Sequence, residues 1–276
     1  MKSKLTTIYL IAGIAILSSC RKIEDVLEKK TYDKCVLSTI SFSPDTNAEQ
    51  YSSELNRVLY FNSVGEPTKS IPQNDFTGNS NFAFTYDAQG NLKYFFEYYI
   101  FDFIPSTDPY PSNPPYQNVL NNIQAYHSYG HNSKGQITSD TAYLLFTTPR
   151  VRLTSVTNYE YDVVGRMTAA IRLPYNTDGT IDSLGLNKTE YKYDGQGNLI
   201  GHGPYDNETS WKSKSKVLQF ILRDYSVNNP LTTSNQVISY EYNTKHLPAS
   251  ATGGTIFDGI LGPITKGKNT FTYNCK

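Results

Sequence analysis

Residues 191–199 read Tyr191-Lys192-Tyr193-Asp194-Gly195-Gln196-Gly197-Asn198-Leu199, and this stretch decides the fold. Tyr191 and Tyr193 are two residues apart, so on a strand they share a face. Asp194 opens a turn, because its side chain can accept a hydrogen bond from backbone two residues on. Gly197 supplies the left-handed residue of a type I turn closed by a bulge. The next strand then runs back and sets Tyr193 opposite Leu199. An aromatic–aliphatic cross-strand pair of this kind is worth roughly 0.2–1 kcal/mol.

The same offsets recur along the chain. Phe84, Tyr86, Asp87, Gly90 and Leu92 form one copy, and Tyr159, Tyr161, Asp162, Gly165 and Met167 another. Tyr129, His131, Asn132, Gly135 and Ile137 form a third, and Leu59, Phe61, Asn62, Gly65 and Pro67 a fourth. Tyr240, Tyr242 and Asn243 open a copy in which His246 replaces Gly before Pro248. His tolerates positive φ better than most non-Gly residues, so this turn is expected to survive. Phe271, Tyr273 and Asn274 end the chain on a truncated copy. Such self-similarity marks a repeat architecture. The regular turn position of Asp87, Asp162 and Asp194 assigns these carboxylates to backbone capping, not acid–base work. Asn62, Asn132 and Asn243 take the same structural role, as do the turn residues Gly65, Gly90, Gly135, Gly165 and Gly197 in theirs.

These hairpins predict an all-β domain, a long antiparallel meander of roughly a dozen strands or more. It is expected to be strongly curved, as an open shell or a barrel-like form, because a long sheet must protect its edges. The composition agrees: 23 Tyr and 13% aromatics favour strands, and 18% charged residues argue against disorder. Three insertions interrupt the repeats. Residues 105–118 hold five Pro, 174–187 read as a polar hairpin tip, and 203–216 contain the only Trp. Val217, Leu218, Ile221, Leu222 and Tyr225 then share one helical face. This predicts a short helix near 216–226, stopped by Asn228-Asn229-Pro230.

The amino end has its own pattern. Lys2 and Lys4 precede an apolar run from Leu5 to Leu17, followed by Ser18, Ser19 and Cys20. A charged start, a short apolar core and small residues before a cleavage point define a secretory signal. The run is about 13 residues, short for a bilayer span. Residues 1–19 are read as signal peptide, 20–34 as a charged tether and 35–276 as the β domain. The chain holds 25 basic and 25 acidic residues. Loss of Lys2 and Lys4 leaves 23 against 25, so no basic excess points to nucleic acid. Cys35 and Cys275 remain beside Cys20. In an oxidising compartment they form a disulfide, worth about 4–5 kcal/mol at most, or else two buried thiols; both readings stay open.

The runs at 161–168 (YDVVGRMT) and 193–199 (YDGQGNL) resemble the YD repeats of RHS-type proteins. The chain is also similar to bacterial cell-surface lipoproteins that carry degenerate YD-like repeats and end in a Tyr-x-Cys tail, here Tyr273-Asn274-Cys275. The resemblance implies side-by-side hairpins, cleavage before Cys20 and lipidation on it. It implies an outer-membrane lipoprotein held to the membrane through that lipid. The periplasmic face and the cell surface are both open. Lys22, Glu24 and Asp25 behind Cys20 resemble a surface-export signal, which favours the surface.

Catalytic patterns are scarce. His127 and His131, at i and i+4 on a strand, would lie about 13 Å apart, too far to share an ion. No HExxH or Gly-x-Ser-x-Gly motif occurs. No metal, cofactor or catalytic residue is assigned, and the chain is read as a non-enzyme. The strongest binding hint is residues 94–104 (YFFEYYIFDFI), aromatic on both strand faces. One reading is an exposed aromatic platform of Tyr98 and Tyr99, extended by Tyr110, Tyr116 and Trp211, for a glycan or an envelope protein. The other is a strand buried on both sides. The expected function is a non-catalytic binding module. A structural spacer is the alternative, and a hydrolase comes third.

Overall fold

The computed structural model describes residues 35–44, 56–72, 80–98, 123–145, 151–233, 236–253 and 267–276. The signal at 1–19, Cys20, the tether, Tyr99, Tyr110 and Tyr116 lie outside the described residues. The strands run β1 (Cys35–Pro44), β2 (Arg57–Phe61), β3 (Pro67–Pro72), β4 (Asn81–Tyr86), β5 (Leu92–Tyr98), β6 (Ile123–His131), β7 (Ile137–Leu144), β8 (Arg152–Tyr161), β9 (Met167–Pro174) and β10 (Asn187–Glu190). Then come β11 (Tyr205–Thr209), the helix α1 (Lys216–Ile221), β12 (Asn228–Pro230), β13 (Thr232–Thr233), β14 (Gln236–Val237), β15 (Ser239–Tyr242), β16 (Pro248–Thr252) and β17 (Gly267–Cys275). Thirteen of these strands form one sheet, ordered β10-β9-β8-β7-β6-β5-β4-β3-β2-β1-β17-β16-β15. The all-β meander is therefore present. Its order is open, ending on β10 and β15, and does not close into a barrel.

The chain divides into two units, residues 1–36 with 273–276 and residues 37–272. In the first, Cys35 and Cys275 are joined by a disulfide.

One set of bonds closes each repeat turn. Asp87 N–H donates to the Asn91 carbonyl and Gly90 N–H to the Asp87 carbonyl, each at 2.9 Å. The Asp87 side chain accepts from Gln89 and Asn91 N–H at 3.0 and 2.8 Å. Asn62, Asn132, Asp162, Asp194 and Asn243 do the same at distances from 2.8 to 3.1 Å. The expected register follows: Tyr86 faces Leu92, Tyr161 faces Met167 and Tyr193 faces Leu199. His246 holds the Gly position at φ 55°. Asn176-Thr177-Asp178-Gly179, inside the polar tip, forms a turn with the same backbone bonds. Asn176 N–H donates to Thr180 and Gly179 N–H to Asn176, and Tyr175 pairs with Ile181.

Neighbouring turns interlock through the residue after Gly in three of the copies, Asn91, Gln136 and Arg166. Asn91 and Arg166 bond back to Asp87 and Asp162 at the head of their own turns. They also reach the next turn. A Cβ on Gly135 would lie 2.7 Å from Asn91 Oδ1, and one on Gly165 would lie 3.3 Å from Gln136 Nε2. Arg166 stacks over the Tyr193 ring at 4.4 Å. Gly135 thus answers two demands, a φ of +74° and a close approach.

The second aromatic of each repeat has a separate task. The Tyr86, Tyr161 and Tyr193 hydroxyls donate to the carbonyls of Pro67, Ile137 and Met167 on the preceding hairpin, at 2.5, 2.7 and 3.0 Å. His131 stands where this template calls for Tyr. Its Nε2 is buried without a hydrogen-bond partner.

Around β4–β6 the sheet is buried on both faces. On one, Ala83, Phe96, Tyr98, Ile123 and Leu145 form a buried cluster. On the other, Phe95 meets His127 edge to face, and Tyr129 and Tyr159 meet Phe220 of α1 at 5.6 and 5.0 Å. The helix is shorter than the 216–226 expected from its pattern. It ends at Ile221, because Arg223 adopts φ 53° and lays its guanidinium over Tyr159 and Phe220 at 4.4 and 4.6 Å. Ser215 caps the first turn, accepting from Leu218 N–H at 3.1 Å. Glu66, at the end of the β2–β3 turn, completes the cap. Its carboxylate accepts from the Ser215 hydroxyl and from Lys216 and Val217 N–H, both at 3.2 Å.

The segment carrying α1 also joins the two ends of the sheet. Beyond β10, the ribbon β11–β12 is held through Tyr205 O–H to the Leu199 carbonyl and Asn228 N–H to Asn198, at 2.7 and 2.9 Å. Beside β15, the same ribbon meets Tyr242 through Asp206 and His246 through Glu208. The ribbon is thus tied to the chain beyond β10 and to β15, while β10 itself stays exposed.

Two predictions follow from these bonds. Tyr161→Phe loses a buried hydrogen bond and should lower unfolding free energy by about 1 kcal/mol, whereas His131→Tyr restores the template and should raise it by a similar amount; urea titration of both variants measures each. Burial raises the Glu66 pKa above 4.5, and the bonds from Ser215, Val217 and Lys216 pull it only partly back. The folded chain thus holds this proton to higher pH than the unfolded chain. Stability relative to Glu66→Gln should then fall as pH rises above 4.5 through the raised value, and level off beyond it; urea midpoints of the two proteins across that range read this difference.

Candidate functional site

Four repeat turns and α1 bring chemistry together. The turns at 62–66, 87–91, 132–136 and 162–166 form one wall, and α1 with Tyr225 the other. Between them lies a cleft of ≈ 820 Å³, a size that accommodates a small organic ligand. The interlocked hairpins set the spacing of the first wall. The Glu66 cap holds the second wall against it.

The cleft mixes rings, amides and charges. Phe220, Tyr161 and Tyr225 contribute apolar surface, with Tyr161 and Tyr225 set edge to face at 6.3 Å. Burial pushes both phenols above their ordinary pKa, so they stay protonated. The side-chain amides of Gln89 and Gln219 line the cleft and make no hydrogen bond within the described residues. Arg166 is held by Asp162 at 2.8 Å. Slight burial works to raise the Asp162 pKa, but the Arg166 N–H groups and charge outweigh it and keep the carboxylate ionised. Burial lowers the His131 pKa against the pull of Asp87, so the ring is neutral at pH 7. Val64, Val163 and Val164 stand at the rim, exposed by 68%, 97% and 71%.

A second constellation lies outside the cleft, under α1. His127 Nδ1 meets Asp140 Oδ1 at 2.8 Å, the Tyr159 hydroxyl donates to Asp140 at 3.4 Å, and Arg223 donates to Tyr159 at 2.6 Å. Lys212 and Asp224 form a buried ion pair nearby in sequence. Burial would raise the Asp224 pKa, yet Lys212 and Ser226 hold it below its usual value. These groups tie α1 and its flanks to the sheet. Among the described residues no group of three His, Cys, Asp or Glu is placed to hold a metal ion. No described helix is long and apolar enough to cross a membrane.

The expected aromatic platform is corrected in its described part. Tyr98 is only 2% exposed, inside the cluster with Phe96 and Ile123. Trp211 is fully buried against Phe271, with ring centroids at 5.3 Å. Neither can stack on a ligand. Both are covered because β5 is packed on each face and the 203–216 insertion folds onto the sheet. Tyr99, Tyr110 and Tyr116 lie outside the described residues. The turn residues Gly90, Gly135, Asp162 and Gly165, read as structural, do line the cleft. The other lining residues were missed. Their signal was departure from the repeat: His131 in a Tyr position, and the apolar pair Val163-Val164 at a turn tip.

No protein-family model matches the chain, and no curated protein does. Several solved structures are similar to it. A DUF3836 family protein from Parabacteroides distasonis shares 11% identity at a TM-score of 0.29, covering 40% of this chain and 87% of its own. A porin-like protein from Bacteroides uniformis shares 8% identity at a TM-score of 0.35, covering 86% of this chain and 96% of its own. The Tc holotoxin pore of Photorhabdus luminescens shares 11% identity at a TM-score of 0.23, covering 85% of this chain and 11% of its own.

Proposed function

We propose that the protein is an exported, lipid-anchored binding module, without catalytic work of its own, that takes a glycan ligand in the cleft between its repeat turns and α1. The observation that carries this reading is the cleft itself. Free amides at Gln89 and Gln219 can each donate and accept, as a hydroxyl-rich ligand requires. The rings of Tyr161, Phe220 and Tyr225 offer the apolar contact that orients such a ligand. Its walls belong to a hydrogen-bonded turn row and a capped helix, so the site is preorganised and little ordering is needed on binding.

The address rests on sequence. The run from Lys2 to Cys20 supports export and lipidation on Cys20, which would hold the domain to the outer membrane with the cell surface as the favoured side. The YD-like repeats support kinship with surface lipoproteins built from hairpins, as do the bonds shared by all six repeat turns.

The test is a glycan array on the full-length protein in detergent, followed by titration of any hit. Binding should be present and should weaken about tenfold in Gln89→Ala or Gln219→Ala, the loss of roughly one good hydrogen bond. Binding unaffected by both variants would remove the cleft as the site, and an array without any hit would favour a structural role.

A further inference from the structure

We propose that the ligand of the cleft is an acidic saccharide, whose carboxylate is read by Lys134 and Lys216; this rests on the reading of the cleft as a glycan site.

The charges that line the cleft do not cancel. Lys134, Arg166 and Lys216 carry +3 and Glu66 and Asp162 carry −2, leaving +1 with His131 neutral. The whole chain balances at +0, so this local excess is not a general property of its surface. How the charges are committed matters more than the sum. The Glu66 carboxylate accepts three hydrogen bonds from the start of α1. Asp162 is engaged by Arg166 and by two backbone N–H groups of its own turn. Arg166 is held in turn between Asp162 and the Tyr193 ring. Lys134 and Lys216 alone among these groups make no ion pair within the described residues. Lys216 lies near enough to Glu66 to draw its pKa down, but its ammonium makes no contact with that carboxylate at ion-pair distance. Two uncommitted cations therefore line a cleft whose anions are already spent.

The chemistry of the remaining groups narrows the anion. Arg presents a planar fork to carboxylate and phosphate alike, and the cleft's one Arg is bound already. Lysines act as mobile point charges and accept either anion without demanding a fixed geometry, so the groups around them select the carrier of the charge. Around them are Gln89 and Gln219 for hydroxyl groups, and Tyr161 and Phe220 with the Val64 and Val163 rim for the apolar C–H faces of a sugar ring. A cleft of ≈ 820 Å³ has room for a short oligosaccharide rather than a single group. A uronic-acid oligosaccharide presents a carboxylate, hydroxyls and apolar ring faces together, and so meets each of these features.

The experiment uses oligogalacturonate and its carboxyl-reduced, neutral counterpart, titrated against the full-length protein in detergent. Wild type, Lys134→Gln/Lys216→Gln and Gln89→Ala are compared at low and high salt. The double variant removes no ion pair, so its thermal midpoint should match wild type and confirm folding. At least tenfold preference for the acidic form, weakened by salt and abolished in the double variant, is the expected result. Equal binding of both forms, sensitive to Gln89→Ala, would overturn the acidic assignment and leave the cleft as a glycan site. A preference that survives in the double variant would overturn the role of the two lysines. Binding of neither form, on an array that also gives no other hit, would overturn this inference together with the reading of the cleft.

Discussion

A single side-chain oxygen at the head of each turn organises this protein. Asp or Asn there accepts two backbone N–H groups, two and four residues on, and so closes a loop that would otherwise leave donors unsatisfied. Six copies of that arrangement fix the hairpin registers. A slip of one residue would turn every side chain to the opposite face of the sheet. In three turns the residue after Gly (Asn91, Gln136 and Arg166) then links one hairpin to the next, by bonding back to its own turn and approaching its neighbour's Gly. The same repeated motif that builds the sheet thereby lays out one wall of the cleft at regular intervals.

The other wall comes from a break in the repetition. The segment after the last regular hairpin leaves the sheet at its β10 end, forms α1 over the centre and reaches β15 at the opposite end. Its placement depends on contacts between residues about 150 apart in sequence, chiefly Glu66 with Ser215, Lys216 and Val217. Burying a carboxylate is unfavourable unless it is well bonded, and here the helix start supplies the donors. A local rule makes the scaffold, and a long-range exception makes the site.

The same division explains what could be read from the chain alone. Turn heads and cross-strand partners were legible because Asp/Asn-x-x-Gly is a local signal, strong enough that His246 in place of Gly did not hide it. The turn at Asn176 was legible as a turn but not as a copy of the repeat, because only one aromatic precedes it and a Pro interrupts the strand. The end of α1 was hidden too. Arg223 leaves helical geometry as its guanidinium lies over Tyr159, a residue 64 positions away whose proximity no helical periodicity records. Tyr98 belonged to a strand aromatic on both faces, a pattern that fits either an exposed platform or burial on both sides, and Trp211 was joined to the platform from a loop; both residues are buried. Glu66, Lys134 and Lys216 carry no motif, because their common location exists only once the turns are stacked and the helix is docked.

The bond between Cys35 and Cys275 spans a sequence separation of 240 and turns nearly the whole domain into a covalent ring. A ring responds to cutting differently from a line. One cleavage within it, for instance at the exposed Val163-Val164 tip, opens the loop but releases no fragment. The two new ends stay attached through the old ones, and the sheet pairings on either side still share one molecule. Two separate cuts are needed to shed any part. For a domain that presents six bare turn tips to its surroundings, this closure converts proteolytic nicking from a destructive event into a tolerated one.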